Sequence, residues 1–577
     1  MESRLKERIP ALDFLKTLGI IGVLFYHVGL LKNGYWGVEI FFVVGGYLMM
    51  RGISRNISNN TYHPIKYCLK RVASFWPLIA VAGLLLLAAG YFCMLPDDYE
   101  NLAESVIASN LFSNNILQAI TTRNYWDIVN TYKPLMHTWY LGVLVQATLF
   151  LSVILWAASK ASKKNGVRIA LIVLTAVSFI AWCLPVFSNS DKFYHFPFRL
   201  FEITVGCLIF YLPKGKLSNT ARTLLGIPGY LILLFCLFSG VAIPGRAGLP
   251  AVTASSAFVI WSHGNLDAGN GFSEKAYKII TLPGRYSFDI YIWHQIVIAL
   301  LYYAFFQKLN AMLVCLTIVI TAVLSVVSVM IRNKAAILRG ARKRLVFAAI
   351  AAIIGCALSG FLYLNAGVVR DVPELGIDKM NVHRNMHAEY VDIPFSWDVD
   401  FSDTQKIHVL VLGDSFGRDF ANILHESEYS DQLEISYIYG ADTTSEKDRV
   451  EQADYVFYGG STWRLPKTLN EIPGEKLYIV GNKSYGNSNG IIYINRGKDW
   501  YYDQRVSLDQ DMLQQNDLWK KTYGDHYIDM ISPLIDEEGQ IQVFTDDKFF
   551  ISQDCRHLTK QGAQYYARIL DLSFLLR

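Results

Sequence analysis

Three side chains towards the end of the chain could together form a nucleophilic site. Ser415 follows a short apolar run within Gly413-Asp414-Ser415, and Asp554 and His557 lie three residues apart near the C-terminus. A serine hydroxyl becomes a useful nucleophile when a base removes its proton, and a carboxylate can orient a histidine to act as that base. These residue types therefore predict covalent catalysis at Ser415.

Other interpretations of these residues stay open. Ser415 could cap a helix, and His557 could be an ordinary surface histidine. His526 beside Asp525 is a rival base. Its place before the apparent strand Tyr527-Ile528 favours an ordinary loop histidine.

A second set of chemically capable side chains lies in an apolar run near the N-terminus. Asp13 and Lys16 occur early in this run, and His27 occurs eleven residues after Lys16. Eleven residues make close to three helical turns, so Lys16 and His27 would share one face of a helix. Ionisable side chains are costly in a membrane and are therefore functional candidates. A histidine hydrogen-bonded between helices is the structural alternative for His27.

The element that must position His27 is a helix in a long hydrophobic half. Hydrophobic residues form 52% of the 577-residue chain, which is too much for a soluble protein of this size and indicates a polytopic membrane protein. A spanning helix needs about 20 apolar residues. On this basis we predict spans at 10–30, 36–51, 74–94, 135–157, 169–185, 197–212, 223–240, 245–262, 282–305, 310–331 and 344–366.

The charges of the connecting segments predict the orientation in the membrane. Segments 51–71, 160–168, 214–222 and 332–344 are basic, and segment 97–104 is acidic. Basic loops favour the cytoplasmic side, so we expect a cytoplasmic N-terminus and, after eleven spans of the inner (cytoplasmic) membrane, a periplasmic or extracellular tail. The charged stretch 1–8 leads into a first helix without a small-residue cleavage site, which predicts a retained helix rather than a signal peptide.

Charge and cysteine usage argue against two other classes of protein. The net charge is only +4, and the basic residues cluster beside apolar runs, so we expect no nucleic-acid binding. The eight cysteines show neither a disulfide framework nor zinc spacing. We expect no metal site.

The element that must position Ser415 is a soluble α/β tail. Runs rich in β-branched and aromatic residues alternate with stretches that can form helices, which predicts a parallel sheet. The runs are Ile407–Leu412, Ile435–Tyr439, Tyr455–Tyr458 and Leu477–Val480. Ser415 would then lie at the carboxyl end of a strand and at a helix N-terminus, where free N–H groups can stabilise an oxyanion. The predicted domains are a membrane domain at 1–366, a linker at 367–405 and the tail at 406–577.

The tail resembles the SGNH, or GDSL-like, hydrolase superfamily. The resemblance lies in Gly413-Asp414-Ser415 and in Asp554-x-x-His557-Leu558-Thr559-x-x-Gly562-Ala563. It implies that Ser415 is the nucleophile, His557 the base and Asp554 its orienting partner.

The same resemblance implies oxyanion donors from the Ser415 backbone, a glycine and an asparagine. Gly440, after the second strand, matches the glycine. The third strand runs into Gly459-Gly460-Ser461-Thr462 and offers no asparagine. Ser461 could donate instead, or Asn482 could do so from the end of the fourth strand.

The membrane half is similar to acyltransferase family 3 over roughly residues 8–340. The resemblance begins in the first helix, with Leu12–Lys16 and Phe25–His27, and continues through Gly37–Tyr47, His137–Leu141, Arg199–Glu202 with Gly206, and Tyr286–His294. It implies that His27 takes part in acyl transfer from an acyl-CoA, usually acetyl-CoA, and that cytoplasmic basic residues help hold this donor. The donor-binding or supporting candidates are Lys16, Lys70, Arg71, Arg199 and His294.

This half departs from the family pattern at several positions. Lys16 stands where the family has an arginine and lacks its planar, two-pronged group. The other departures are Gly45 for a serine, Leu144 and Val145 for an expected acidic residue, and Ala73 and Ser74 for paired arginines near Lys70 and Arg71.

Each supporting candidate also has a structural alternative. Lys70 and Arg71 could serve only as topology charges, and His294 could pack structurally on an aromatic helix. Arg199 and Glu202, spaced i to i+3, could neutralise each other.

Together the two resemblances imply an O-acyltransferase, in particular an O-acetyltransferase. It would move acetyl from cytoplasmic acetyl-CoA, its donor substrate, to a hydroxyl of an envelope glycan such as lipopolysaccharide, peptidoglycan or exopolysaccharide. No bound cofactor is expected. The alternatives are a membrane-anchored glycan esterase, and a polysaccharide-precursor transporter whose tail is a binding module.

Overall fold

The computed structural model describes residues 9–121, 130–162, 165–213, 218–263, 279–305, 310–335, 339–383, 386–441 and 446–576. It divides into two compact units. The helical unit comprises residues 1–90 and 101–360, and the sheet unit comprises residues 91–100 and 361–577. The three domain limits expected from the sequence stay a prediction.

A helix is present at each of the eleven places where the sequence predicted a span. These helices are α1 (Pro10–His27), α2 (Gly37–Ser58), α3 (Trp76–Cys93), α4 (Trp139–Ala161), α5 (Gly166–Cys183), α6 (Phe196–Ile209), α7 (Asn219–Phe238), α8 (Gly245–His263), α9 (Ser287–Ala304), α10 (Ala311–Lys334) and α11 (Ala341–Leu364). Shorter helices lie between them at Pro64–Val72, Pro96–Asn110, Asn114–Thr121, Asn189–Tyr194 and Leu282–Arg285.

Seven of these helices are long and apolar enough to cross a membrane. They are α2, α3, α4, α5, α7, α10 and α11, identified among the described residues by length and composition. This number supports a multi-pass membrane protein and is smaller than the eleven spans expected. The helix α6 has only 14 residues, fewer than a span of the hydrocarbon core requires.

Small residues bring two helices of the bundle, α2 and α6, into close contact. A Cβ atom added to Gly46 of α2 would lie 1.9 Å from the Ile203 carbonyl oxygen of α6. One added to Gly206 of α6 would lie 2.1 Å from the Val43 carbonyl oxygen of α2. Only glycine fits at such separations, and glycine-mediated contact is a common way for membrane helices to pack. This packing places α2 and α6 side by side.

The sheet unit is built on a five-stranded sheet. Its strands are β1 (Ile407–Gly413), β2 (Leu433–Tyr439), β3 (Tyr455–Gly459), β4 (Leu477–Val480) and β6 (Tyr527–Ile528), paired in the order β2-β1-β3-β4-β6. All four pairings are parallel, which confirms the parallel sheet expected from the sequence. The strands β5 (Arg505–Ser507) and β7 (Gln540–Gln542) form a separate antiparallel pair.

Helices cover the sheet and complete its core. They are α12 (Ser415–Glu426), α13 (Lys447–Gln452), α14 (Gly490–Tyr493), α15 (Gln510–Tyr523) and α16 (Lys560–Ile569), with a short helix at Met386–Glu389. On one face of the sheet Val409 and Val411 pack with Phe420 of α12. Val372 and Leu375, from the segment predicted as a linker, are buried in the same cluster.

Candidate active sites

Local sequence places Ser415 at the junction of β1 and α12. Gly413 ends β1 with φ +132°, and a Cβ atom there would lie 1.8 Å from the Gly459 carbonyl oxygen. Asp414 caps α12, because its carboxylate accepts the Phe416 N–H at 3.0 Å. The positive φ and the nearby carbonyl oxygen require glycine at position 413. The cap at Asp414 makes Ser415 the first residue of the helix.

The structure brings Ser415, His557 and Asp554 together in one continuous chain of hydrogen bonds, which we call the row Ser415–His557–Asp554. Nε2 of His557 lies 2.8 Å from Oγ of Ser415, and Nδ1 lies 2.6 Å from Oδ2 of Asp554. The serine and histidine are only 5% and 3% exposed. A row in this order can remove the serine proton while the carboxylate holds the imidazole in the required tautomer.

Hydrogen bonds keep Asp554 ionised beside the histidine. Burial alone would raise the pKa of the Asp554 carboxyl, but the His557 ring and two backbone N–H groups lower it below its usual value. Those N–H groups belong to Arg556 and His557, which donate to Oδ1 at 2.9 and 2.8 Å. A carboxylate with several donors favours its charged form, so Asp554 can support an imidazolium at His557.

The turn that carries Asp554 is anchored by a residue that the sequence analysis missed. Asn489 is buried, and its amide donates to the carbonyl groups of Ser552 and Gln553 at 2.5 and 3.1 Å. Its Oδ1 lies 3.2 Å from the Cys555 sulfur. Cys555 has φ +69°, a conformation that L-residues adopt at a cost. These contacts therefore stabilise a strained turn beside the acid.

The three side-chain or glycine candidates for the oxyanion hole already have partners within the protein. The Gly440 N–H donates to the Gly413 carbonyl at 2.8 Å. Both donors of Ser461, its N–H and Oγ, bond to Oδ2 of Asp414 at 2.8 and 2.5 Å. Asn482 donates to the Ser461 carbonyl at 3.0 Å, although a side-chain amide carries a second N–H.

The Ser415 N–H differs from these groups by its position. As the first residue of α12, Ser415 has no intrahelical acceptor for its N–H. The oxyanion roles expected from the sequence stay predictions.

The rival base His526 lies in a different environment. Its Nδ1 is 2.9 Å from the Leu477 carbonyl oxygen, and its ring stacks on Tyr478 with centroids 4.5 Å apart. These contacts fit a histidine that packs at the edge of the sheet.

A buried ion pair beside Ser415 also escaped the sequence analysis. The Lys483 ammonium lies 2.9 Å from Oδ2 of Asp419, and both side chains are at most 2% exposed. The same oxygen accepts the N–H of Leu558, next to His557, at 3.1 Å. The ammonium also lies 3.8 Å from the centre of the Phe416 ring. The pair thus links the helix that carries Ser415 to the loop that carries His557. The sequence signal that could have revealed Asp419 was its i to i+4 spacing from Ser415.

In the helical unit, His27 belongs to a cluster of three histidines. The ring centres of His27 and His294 are 5.2 Å apart, and those of His137 and His294 are also 5.2 Å apart. His137 and His294 are almost fully buried. His137 belongs to a family motif but was not among our candidate site residues. Among the described residues, no group of three or more His, Cys, Asp or Glu side chains is arranged to hold a metal ion.

The charged candidates of the helical unit have nearby partners. Lys16 pairs with Asp13 at 3.4 Å. Arg199 is buried between two carboxylates, 2.5 Å from Glu39 and 3.3 Å from Glu202, which agrees with the proposed neutralisation and adds Glu39 to it.

Lys70 and Arg71 lie in the last turn of the short helix Pro64–Val72. Lys70 is exposed, and Arg71 donates to the Tyr67 hydroxyl at 3.4 Å. Their roles stay predictions.

Comparison with known families decides the class of the helical unit. The model of the acyltransferase domain matches residues 9–331, which is more than half of the chain. The chain belongs to acyltransferase family 3. The matched residues include His27, His137 and His294, and they end before Ser415.

The alignments of this chain with individual relatives cover about half of the length of each relative. The peptidoglycan O-acetyltransferase OatA of Listeria monocytogenes is 28% identical over 315 residues, which cover 51% of this chain and 50% of OatA. A candidate membrane-bound transacylase of Komagataeibacter xylinus, BcsY, is 26% identical over 218 residues, covering 37% of this chain and 54% of BcsY.

A candidate O-acetyltransferase of Staphylococcus aureus strain COL is 24% identical over 315 residues, covering 50% of this chain and 51% of the relative. The chain therefore spans about half the length of the curated relatives it matches. No solved structure matches this acyltransferase family 3 chain.

Proposed function

We propose that this chain is an envelope-glycan O-acyltransferase, in particular an O-acetyltransferase. The observation that carries the proposal is the row Ser415–His557–Asp554, with contacts of 2.8 and 2.6 Å, on a chain whose other unit belongs to an acyltransferase family. Among envelope glycans we place peptidoglycan first, because OatA is named a peptidoglycan O-acetyltransferase.

The proposed reaction at Ser415 has two balanced steps. In the first, Oγ attacks the acetyl carbonyl, His557 takes the hydroxyl proton, and the leaving group departs with that proton, which leaves an acetyl ester on Ser415. In the second, a sugar hydroxyl attacks this ester and gives its proton to His557, which returns it to Oγ as the bond to the acetyl group breaks. Water must be kept from the ester, since it would otherwise hydrolyse it.

The helical unit is proposed to receive the acetyl group from cytoplasmic acetyl-CoA. His27 is the proposed participant in this transfer, and His137 and His294 are its neighbours in the cluster. An imidazole is the most common general acid or base in proteins. Lys70 and Arg71 are proposed to attract the donor, whose phosphates carry negative charge, on the cytoplasmic side of the membrane.

The proposed location follows from the helices and the loop charges. In the part of the chain that the structure describes, seven helices are long and apolar enough to span a membrane, and we place the chain in the cytoplasmic membrane with its N-terminus in the cytoplasm. The sheet unit, proposed to be of the SGNH type, would then face the periplasm or the exterior, where envelope glycans are found.

The test is to measure O-acetyl groups on envelope glycans by mass spectrometry in cells that lack the protein. The cells are complemented with the intact protein, His27→Ala or Ser415→Ala. We expect acetate to be lost without the protein and restored by the intact chain alone.

A rise of glycan acetate in the cells that lack the protein would support the esterase alternative instead. Unchanged acetate with altered glycan location would support the transporter. Loss from lipopolysaccharide or exopolysaccharide rather than peptidoglycan would reassign the acceptor.

A further inference from the structure

Two aromatic side chains are exposed together at the carboxyl end of β2. Phe395 is 46% exposed and Tyr439 is 66% exposed, and their ring centres are 6.1 Å apart with planes inclined by 47°. Large aromatic side chains are usually well buried in folded proteins. A pair that is exposed side by side therefore indicates a surface that contacts a ligand.

The strand register places this pair beside the nucleophile. Tyr439 is the partner of Gly413 across the parallel strands β2 and β1, and Ser415 is two residues beyond Gly413. Neighbouring strands are about 4.8 Å apart, so the two positions lie at the same edge of the sheet.

The side of the sheet is also fixed. Side chains alternate along a strand, so Tyr439 lies on the same face as Tyr437. The Tyr437 hydroxyl donates to the Gly413 and Asp414 carbonyl groups at 3.2 and 3.1 Å, and Tyr437 packs in the core cluster of that face with Phe420 of α12. Tyr439 therefore lies on the face that carries α12, whose first residue is Ser415.

An ion pair with a buried arginine lies next to the aromatic pair. The Arg418 guanidinium lies 5.7 Å from the centre of the Phe395 ring and 2.7 Å from a carboxylate oxygen of Asp392. The arginine side chain is 2% exposed, whereas that of Asp392 is 47% exposed. The surface thus presents two partly exposed aromatic rings and, beside them, a half-exposed carboxylate that is paired with a buried arginine.

This combination fits the chemistry of a sugar ring. A pyranose has C–H groups that pack against the electron-rich face of an aromatic ring, and hydroxyl groups around its edge that donate to a carboxylate. A hydrocarbon chain would use the aromatic rings but would offer the exposed part of the carboxylate no donor in addition to Arg418. The position next to Ser415 is where an acceptor hydroxyl has to be delivered.

We propose that Phe395 and Tyr439 form a sugar-binding subsite for the acceptor glycan, with Asp392 accepting a hydroxyl of the bound ring. The inference rests on the proposed function, because it takes the ligand to be the glycan that Ser415 acylates. It adds the residues that hold this glycan and the part of the sheet unit that faces it.

The test measures binding rather than turnover. The full chain carrying Ser415→Ala is placed in lipid nanodiscs and titrated with soluble peptidoglycan glycan strands of defined length, with saturation-transfer NMR as the readout. Phe395→Ala and Tyr439→Ala are added singly to this background. The matched control is Trp500→Ala, which removes another aromatic side chain of similar exposure, 49%, that contacts Lys498.

We expect each subsite variant to weaken glycan binding about ten-fold, as alanine substitution does where a ring stacks on an aromatic side chain, and the Trp500 variant to bind like its parent. Equal binding by all variants, loss in the Trp500 variant as well, or no binding by the parent would overturn the subsite. Failure of the proposed function would differ, because glycan acetylation in cells would then be independent of Ser415 whatever the titration shows.

Discussion

The two candidate sites hold their histidines in opposite ways. In the sheet unit, His557 lies between a hydroxyl and a carboxylate, each within 2.8 Å of a ring nitrogen. In the helical unit, the rings next to His27 are those of Tyr26 and His294, and the buried carboxylates Glu39 and Glu202 pair with Arg199. The first arrangement fixes one proton position at one atom. The second places other imidazole rings nearby, with centres 5.2 Å apart, so we expect substitutions to have sharper effects in the sheet unit.

The largest expected effect tests the nucleophile of the sheet unit. Ser415→Ala should lower transfer of radiolabelled acetyl from acetyl-CoA to glycan at least ten-thousand-fold, roughly the loss on removal of a catalytic serine elsewhere. Ser427→Ala is the matched control, because Ser427 is equally buried directly after the same helix and its hydroxyl donates to the Leu424 carbonyl at 2.7 Å. Normal transfer by Ser415→Ala would show that the sheet unit does not carry the acyl group.

The next effect tests the fixed orientation of His557. Asp554→Asn keeps the size of the side chain but removes its charge, and should lower transfer about a thousand-fold. A loss of less than about ten-fold would remove the contrast between the two sites.

The same variant tests the ionisation of Asp554. Because the folded pKa of Asp554 lies below its usual value, its carboxylate stabilises the fold above the unfolded pKa of about 3.9. The difference in Tm between the intact protein and Asp554→Asn should therefore be constant from pH 5 to 8 and shrink as the pH falls through the folded pKa. A difference that grew on acidification would contradict this assignment.

A smaller loss is expected from the helical unit. His27→Ala should lower transfer from acetyl-CoA about a hundred-fold or more, the usual contribution of a general acid or base, because neighbouring imidazoles can replace part of its function. Hydrolysis of p-nitrophenyl acetate by Ser415 should continue in this variant, since that reaction needs only the sheet unit. His294→Ala provides the comparison, and equal loss in both would show that the cluster acts as one group.

An indirect effect is expected from the buried ion pair of the sheet unit. Lys483→Met leaves the Asp419 carboxylate buried without its cation, which should cost about 3 kcal/mol of stability and lower transfer roughly ten-fold through displacement of the His557 loop. Thermal unfolding and kcat are measured together. Rescue of both by Lys483→Arg would show that the charge is what matters, whereas unchanged values for Lys483→Met would exclude a positioning role.

The smallest effect concerns the missing asparagine. Ser461 uses both donors on Asp414, so Ser461→Ala should change transfer by no more than about three-fold, whereas removal of a true oxyanion donor costs about a hundred-fold or more. A hundred-fold loss would identify Ser461 as such a donor after rearrangement. Asn482→Ala is measured in parallel, because its amide has a second N–H.

Sequence patterns were informative where the physics is local. Long apolar runs correctly predicted helices at all eleven expected places, since a membrane requires internally bonded backbone. Runs rich in β-branched and aromatic residues correctly predicted the four expected parallel strands. The sequence predicted more membrane-crossing helices than the seven that qualify among the described residues. One reason is length, because α6 was expected at 197–212 but has only 14 residues.

Contacts between distant segments were beyond such patterns. Nothing near Asn489 in the sequence indicates that it holds the Asp554 turn, and Lys483 meets Asp419 across 64 positions of chain. His137, in the turn just before α4, and His294 of α9 meet only when the bundle packs. Gly440 was placed correctly at the end of β2, but only its bond to Gly413 shows that its N–H has a partner.

The sequence by itself determined the chemical inventory: a membrane half with ionisable residues in its first helix, and a tail with a serine, a histidine and an aspartate in a recognisable order. Tertiary structure decided which of these groups meet. Apolar periodicity depends on residues a few positions apart, and therefore specifies elements. A hydrogen bond of 2.8 Å between Ser415 and His557 joins residues 142 positions apart, and only the packing of α12, the sheet and the Asp554 turn brings their atoms within reach.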